Sequence, residues 1–197
     1  MAEKAARGGE VEIHEAVTPE DRARCLALRV EVFIAEQGVS AALEQDGEDP
    51  DCTHWIAKRG AETLGAARIK SALPEGWSAG AALIPGATTG TAADAAGDTE
   101  APSQRGSAVP ARTGPGAKIQ RVAVARRARG TGLGQALMRA MLASHALVAA
   151  RPVWLEAQVP ALGFYERLGF VAEGPEFLDA GMPHRRMILI SPRQAPC

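Results

Sequence analysis

A basic, glycine-rich turn between a predicted strand and a predicted helix constrains this chain more than any other feature. Alternating apolar residues predict a strand over 119–124, and apolar residues at helical spacing predict a helix over 135–150. The turn between them holds three arginines and three glycines: Arg126, Arg127, Arg129, Gly130, Gly132 and Gly134. Glycine lets backbone N–H groups approach a ligand closely, and a helix N-terminus attracts anions. The turn is therefore suited to a phosphate or pyrophosphate.

The spacing of the glycines excludes two common phosphate-binding motifs. A Walker loop has Lys followed by Ser or Thr after its last glycine, whereas Gln135 follows Gly134 here. A dinucleotide-binding fingerprint needs glycine at its sixth position, and counting from Gly130 that position is again Gln135. The pattern that remains is Arg-x-x-Gly-x-Gly, running from Arg129 to Gly134.

Short strands alternate with helices along the rest of the chain, which is typical of an α+β or α/β sheet protein. Thr18 and Pro19 predict the start of a helix that runs to about residue 35 and ends at Gly38. The other predictions are strands near 11–17 and at 54–58, 62–70, 153–158, 170–173 and 186–190, with a short helix at 161–168.

The chain of 197 residues is predicted to form one domain over 10–191, preceded by a flexible tail at 1–9. A segment at 71–117 interrupts this domain. It is rich in Ala, Gly, Pro, Ser and Thr and poor in bulky apolar residues, so its burial could not offset the entropy of ordering it. We therefore expect a flexible insertion in a loop.

Charge and cysteine content exclude several other classes. The net charge of −1 gives no reason to expect nucleic acid or an anionic membrane as a partner. Three cysteines without a CxxC pair argue against a disulfide framework and a structural zinc site, so no metal is expected. The polar residues 1–10 do not resemble a secretory signal, and the predicted location is the cytoplasm.

An acidic run at 44–51 lies between the first predicted helix and the next strand. It departs from an EF-hand because Pro50 occupies a position that is not proline there and because Ala57 stands where a bidentate Glu belongs. We therefore expect the run mainly to solvate a loop, with attraction of a cationic amine as the alternative.

The basic turn resembles the acyl-CoA pyrophosphate loop of the GNAT N-acetyltransferases. A second motif of that family is matched by Leu155-Glu-Ala-Gln158 and by the segment 161–170, which includes Phe164 and Tyr165. Segments near 28–37, 46–54 and 173–187 are similar to the ElaA-type subgroup. Together the matched regions cover about 10–70 and 118–190, which is nearly everything outside the insertion.

The resemblance implies a mixed, mostly antiparallel sheet with flanking helices in three layers. The sheet would splay into a V that holds coenzyme A. It implies contacts to acetyl-CoA from Val122, Ala123, Val124, Arg127, Arg129, Gly130, Thr131, Gly132, Leu133, Gly134, Gln135, Gln158 and Phe164. The implied reaction is direct attack by a primary amine of a small molecule, without a metal. A protein lysine or N-terminal acetyltransferase and a non-catalytic acyl-CoA-binding protein are the alternatives, and the resemblance allows a homodimer.

The resemblance also implies residue roles. Tyr165 occupies the family position of the general acid that protonates the departing sulfur. Many members have a Glu base on the strand before the turn, where this chain has Gln120. Other residues that could accept the proton are Glu36, His54, Glu156 and His184, of which Glu36 and His184 are the leading candidates. Phe33, Gln37 and His54 are predicted to bind the acceptor.

Overall fold

The computed structural model describes residues 9–75, 116–150 and 152–190, which form one seven-stranded sheet with helices on both faces. Residues 1–8 of the predicted tail and 76–115 of the predicted insertion at 71–117 lie outside the described residues. The strands are β1 (Glu12–Glu15), β2 (Thr53–Arg59), β3 (Glu62–Ser71), β4 (Ala117–Val124), β5 (Val153–Gln158), β6 (Phe170–Asp179) and β7 (Met182–Leu189). The helices are α1 (Pro19–Arg29), α2 (Ala41–Glu44), α3 (Leu133–Ala143), α4 (His145–Ala149) and α5 (Leu162–Glu166).

The first helix begins as its sequence predicts and continues in a less common form. The Thr18 hydroxyl caps α1 by accepting a hydrogen bond from the backbone N–H of Asp21 at 3.1 Å. After Arg29 the backbone continues as a π-helical segment, Val30–Glu36, and the chain turns at Gly38 with a φ of +73°. The periodicity of the sequence predicts one regular helix here. π-helical turns are rare in proteins as a whole, and those that occur are often found at functional sites.

The sheet has the order β1-β2-β3-β4-β5-β7-β6, and only β4 and β5 are parallel neighbours. These two strands pair at three positions, ending with Ile119 opposite Leu155. Beyond them β4 stays with β3 up to Val124, while β5 stays with β7 up to Gln158. The two strands therefore diverge, and we call this point the fork. The fork is the V-shaped splay that the sequence predicted.

Apolar residues form separate cores on the two faces of the sheet. Neighbouring residues of a strand point to opposite faces, and Ile56 and Ala57 accordingly belong to different clusters. One cluster packs Leu137 and Met141 of α3 against the sheet, and the other packs Leu28 of α1 against its opposite face. The three-layer arrangement is thereby confirmed. Within the described residues no helix is long and apolar enough to cross a bilayer.

The predicted bounds of one helix and of the last two strands were wrong. The helix expected at 135–150 begins at Leu133 and is interrupted at Ser144, whose extended backbone separates α3 from α4. The last two strands are longer than predicted and form a hairpin. Its turn, at Ala180 and Gly181, has φ values of +48° and +76°, a conformation that a non-glycine residue such as Ala180 rarely adopts.

Candidate active site

The basic turn has the backbone conformation that its glycines predict. Gly130 and Gly132 have φ values of +77° and +85°, and Gly132 is the N-cap of α3. A Cβ atom at either position would meet no other heavy atom within 4 Å, so these glycines serve the backbone conformation and leave open space beside it. The first N–H groups of α3 have no partner within the helix and are oriented to bind an anion.

Residues predicted to contact coenzyme A converge beside this turn. A Cβ atom on Gly134 would lie 3.4 Å from Val124 Cγ2 and 3.5 Å from the Phe164 ring, so the start of α3 packs closely against both. Thr131 donates its hydroxyl hydrogen to the Ala128 carbonyl at 2.8 Å, which holds the turn in shape. The side chain of Leu133 is buried, so this residue offers a ligand its backbone only.

The two arginines predicted to bind the pyrophosphate are both held by carboxylates. Arg129 donates to Glu36 Oε2 at 2.7 Å and to the Val124 carbonyl at 3.0 Å. Arg127 donates to Glu62 at 2.5 Å and to the Thr63 carbonyl at 3.0 Å, at the start of β3. Arg129 therefore stays next to the turn, while Arg127 is directed toward the β2–β3 hairpin.

A pocket of about 240 Å³ opens at the fork. Its walls come from residues 118–122 of β4, from residues 155, 156 and 158 of β5, from the π-helical segment and the residues that follow it, and from the β6–β7 turn. Of the residues predicted from sequence to act on the acceptor or the leaving group, the lining includes Phe33, Gln37, Tyr165 and His184. Gln158 and Val122, predicted for acetyl-CoA, line the same pocket.

Tyr165 lies in this pocket with 9% of its surface exposed. Its ring packs edge-to-face against Phe164 and Phe170, with centroid distances of 4.9 and 6.0 Å. Burial raises the pKa of the Tyr165 phenol to about 12 because the anion would lose its solvation. The phenol is therefore protonated near neutral pH and is able to donate a proton.

His184 and Gln158 face the pocket from paired strands. They are opposite each other in the β5–β7 register. His184 Nδ1 lies 2.9 Å from the Met182 carbonyl oxygen, and the ring stacks on Phe177 at 6.1 Å. Because a carbonyl only accepts, Nδ1 donates this bond, and the neutral ring keeps its lone pair on Nε2. The Gln158 side chain donates to the side-chain oxygen of Gln37, Oε1, at 3.2 Å, which joins β5 to the end of the first helical region.

Two other residues predicted for the site lie outside the pocket lining. Glu36 is held in its ion pair with Arg129, at the turn. His54 is 5% exposed, and its Nε2 lies 2.9 Å from the Asp49 carbonyl oxygen. Burial and this hydrogen bond hold His54 against the acidic loop, so the structure does not bring it to the acceptor.

The acidic run is not the solvated loop that the sequence predicted. Arg29 and Arg68, with 1% and 0% of their side chains exposed, point into it from α1 and β3. Arg29 binds Glu44 at 2.5 Å, and Arg68 binds Asp49 at 2.7 Å and also pairs with Asp46. The hydrogen bond from Arg68 holds the pKa of Asp46 well below its usual range. We call this network the acidic-loop cluster, and it holds one wall of the pocket in place.

Sequence reasoning missed two basic residues of the pocket. Lys118 binds Glu156 at 2.5 Å, and its ammonium lies 4.6 Å from the centroid of the Trp154 ring. Arg121 has a φ of +52° at an irregularity in the β3–β4 pairing and forms an ion pair with Glu44 at 2.8 Å. Strand alternation from Gln120 could have indicated Lys118. Nothing in the sequence signalled the bulge that turns Arg121 toward the pocket.

Comparisons with known proteins agree with this geometry. Residues 104–191 match the family model described as an acetyltransferase (GNAT) domain. This match, together with the relatives described below, confirms the predicted resemblance to the GNAT acetyltransferases, which are acyltransferases. Within the described residues no group of three His, Cys, Asp or Glu side chains is arranged to hold a metal ion.

Three relatives illustrate the match. An uncharacterized N-acetyltransferase of Bacillus subtilis, YjcF, is 26% identical over 162 residues, which cover 82% of this chain and 86% of YjcF. An acyl-CoA N-acyltransferase from Pseudomonas aeruginosa has a TM-score of 0.60 at 27% identity, over 92% of this chain and 99% of its own. Escherichia coli ElaA has a TM-score of 0.62 at 22% identity, over 91% and 99%, and shares the fold.

Proposed function

We propose that this chain transfers the acetyl group of acetyl-CoA to a primary amine of a small molecule, by direct attack in a ternary complex. The observation that carries this proposal is a buried Tyr165 phenol in a pocket at the fork, with the basic, glycine-rich turn at the end of one of its strands. The modest volume of the pocket, closed on one side by the β6–β7 turn, favours a small acceptor over a protein.

The residues present fit acetyl-CoA. Beyond Ile119, β4 has no pairing with β5, so the backbone groups of Val122 and the N–H of Val124 on that side are available to an extended ligand, while the Val124 carbonyl accepts from Arg129. The open space beside Gly130 and Gly132 and the first amides of α3 suit a pyrophosphate. When bound, acetyl-CoA supplies the activated acetyl group.

The amine must lose a proton before it attacks, because an alkylammonium has no lone pair and a pKa of about 10. A backbone N–H of β4 that faces the fork is placed to stabilise the thioester oxygen. Tyr165 gives its phenolic proton to the sulfur as the carbon–sulfur bond breaks. Of the residues predicted to take the amine's proton, His184 and Glu156 line the pocket.

The test is the Tyr165→Phe variant. We expect turnover to fall about 100-fold, because a general acid contributes roughly 10²–10⁴-fold, while acetyl-CoA binding stays within about twofold of the wild type because ring packing is retained. Release of free thiol and calorimetric titration measure the two quantities. Unchanged turnover would contradict the role of Tyr165.

The acceptor class is tested by offering the wild-type protein acetyl-CoA with a panel of primary amines and, separately, with lysine-containing peptides. We expect thiol release with amines and little with peptides. The reverse order would indicate a protein acetyltransferase, and tight acetyl-CoA binding without any release would indicate a binding protein. The cytoplasmic location and a homodimer stay predictions.

A further inference from the structure

The strand register places Glu156 at the same level as Gln120, the position at which the family resemblance implied a carboxylate. The last pair before the fork is Ile119 with Leu155, so Gln120 and Glu156 are the first residues on its two arms. Ile119 and Leu155 are buried in the core, and alternation turns the next residue of each strand to the opposite face. Both Gln120 and Glu156 line the pocket.

The side chain of Gln120 is hydrogen-bonded to Arg68. Its side-chain carbonyl accepts a hydrogen bond from Arg68 Nε at 3.1 Å, and Arg68 is itself fixed by the acidic-loop cluster. An amide has no basicity near neutral pH, so Gln120 cannot take a proton, and its NH₂ group is a donor. The β4 arm of the fork therefore supplies a donor at this level rather than a base.

Glu156 has the properties that Gln120 lacks. Its side chain is 23% exposed, and Oε2 binds Lys118 Nζ at 2.5 Å. The ammonium of Lys118 lies over the Trp154 ring, which limits the positions open to it. On the other side, Arg186 of β7 is the cross-strand partner of Glu156. Lys118 engages one carboxylate oxygen, and the other oxygen remains to accept a proton.

We infer that Glu156 is the general base of this acetyltransferase, moved across the fork from the position that Gln120 occupies. The inference rests on the proposed function. The acceptor it implies is a primary amine that arrives as an ammonium ion and gives up a proton to Glu156 through one water molecule.

The proton and electron balance is simple. The ammonium gives one proton to Glu156, and the freed lone pair forms the bond to the thioester carbonyl carbon. The carbon–sulfur bond then breaks, and its electron pair leaves with sulfur, which takes the proton of Tyr165. The nitrogen loses a second hydrogen as the amide forms, and this proton restores the phenol. Glu156 returns its proton to solvent, so one proton is released for each acetyl group transferred.

His184 lies one step further from the fork. It is on β7, and its cross-strand partner is Gln158, two residues beyond Glu156. Its ring is fixed by the Met182 carbonyl and by stacking on Phe177. This position suits contact with the acceptor. Glu156, by contrast, lies on β5, one of the two strands that form the fork, and it is the first residue of β5 after the last β4–β5 pair.

The deciding experiment compares Glu156→Gln with wild type on two amines, ethylamine and trifluoroethylamine. Ethylamine is an ammonium ion at neutral pH, whereas the electron-withdrawing fluorines leave trifluoroethylamine largely unprotonated. We expect kcat/KM of the variant to fall about 100-fold with ethylamine, as for loss of a general base, and less than about fivefold with trifluoroethylamine. A residue that only supported the structure would affect both amines equally.

The matched control is Glu173→Gln. Glu173 is the partner of Arg186 on the opposite strand, β6, and does not line the pocket. We expect it to behave as the wild type with both amines. Glu156→Asp should recover part of the ethylamine activity because it restores a carboxylate, and acetyl-CoA titration checks that each variant is folded.

Two results would overturn the inference. One is an ethylamine kcat/KM for Glu156→Gln within threefold of wild type, and the other is an equal loss with both amines. Failure of the proposed function looks different, because the wild-type protein would then release no thiol with either amine.

Discussion

The basic turn at 126–134 and the acidic loop at 44–51 both border the candidate active site, and they are built in opposite ways. The turn depends on backbone conformation: Gly130 and Gly132 adopt positive φ values, and the amides of α3 face outward. The acidic loop depends on side chains, because its carboxylates bind Arg29 and Arg68, which come from other elements. The turn leaves the first backbone N–H groups of α3 without partners inside the helix, whereas the acidic loop pairs its carboxylates with buried arginines.

This difference decides how each region tolerates change. A turn held by its own backbone is damaged by a residue that cannot adopt its φ angle, whatever the charge. A loop held by buried ion pairs is damaged by loss of a partner far away in sequence, because the remaining charges are left without compensation. The following predictions test that contrast, from the largest expected effect to the smallest.

Removing the central cation of the acidic-loop cluster should have the largest effect. Arg68→Met removes the buried cation that Asp46 and Asp49 share, and we expect a loss of about 3 kcal/mol in the free energy of unfolding. The control is Arg24→Met, which removes an exposed pair with Glu20 and should cost about 0.5 kcal/mol or less. Urea denaturation measures both. Equal losses would show that the cluster contributes no more than a surface ion pair.

Straining the turn should weaken acetyl-CoA binding more than it lowers the stability of the protein. Gly132→Val places a β-branched residue at a φ of +85°, which costs about 1–2 kcal/mol and displaces the amides at the start of α3. We expect acetyl-CoA affinity to fall at least about tenfold, or roughly 1.4 kcal/mol.

The acidic loop offers a matched control, because Gly47 has a φ of +79° and also has open space around it. Gly47→Val should lose similar stability and keep acetyl-CoA affinity within about twofold. Calorimetric titration compares the two variants. A similar loss of affinity in both would mean that strain acts through global stability and would refute a specific role for the turn.

The smallest expected effect is on acid sensitivity. The pKa of Asp46 is lower in the folded protein than in the unfolded chain. The ionised Asp46 carboxylate therefore contributes its full stabilisation above the unfolded-state pKa of about 4. This stabilisation is lost as the pH falls from there toward the folded-state pKa. The stability difference between wild type and Asp46→Asn should therefore narrow as pH falls below about 4. Thermal melts across pH measure it, with the exposed Asp51→Asn as control. A constant difference would contradict the depressed pKa.

The contrast between the turn and the acidic loop also explains which features could be predicted from the sequence. The turn could be predicted because the requirement for Gly130 and Gly132 and the start of α3 are local properties. The helix start at Thr18 and the span of β5 were predicted for the same reason. The family resemblance then implied the fork and brought Tyr165 into the pocket.

The acidic loop could not be predicted, because its partners are distant in sequence. Arg29 and Arg68 are 15 to 22 residues from the carboxylates they bind, and only the fold shows that both are buried. The same limit applies to His54, which the family resemblance predicts as an acceptor-binding residue and which instead contacts this loop. Identification of Glu156 needed the strand register, because its relation to Gln120 exists only across the β4–β5 pairing.

The central claim is that acetyl-CoA and an amine meet in the pocket at the fork and react directly. Initial velocities measured while both substrates are varied test this claim most directly. We expect double-reciprocal lines that intersect, which requires both substrates to be bound before either product leaves. Parallel lines, the pattern of an acetylated enzyme intermediate, would contradict direct transfer.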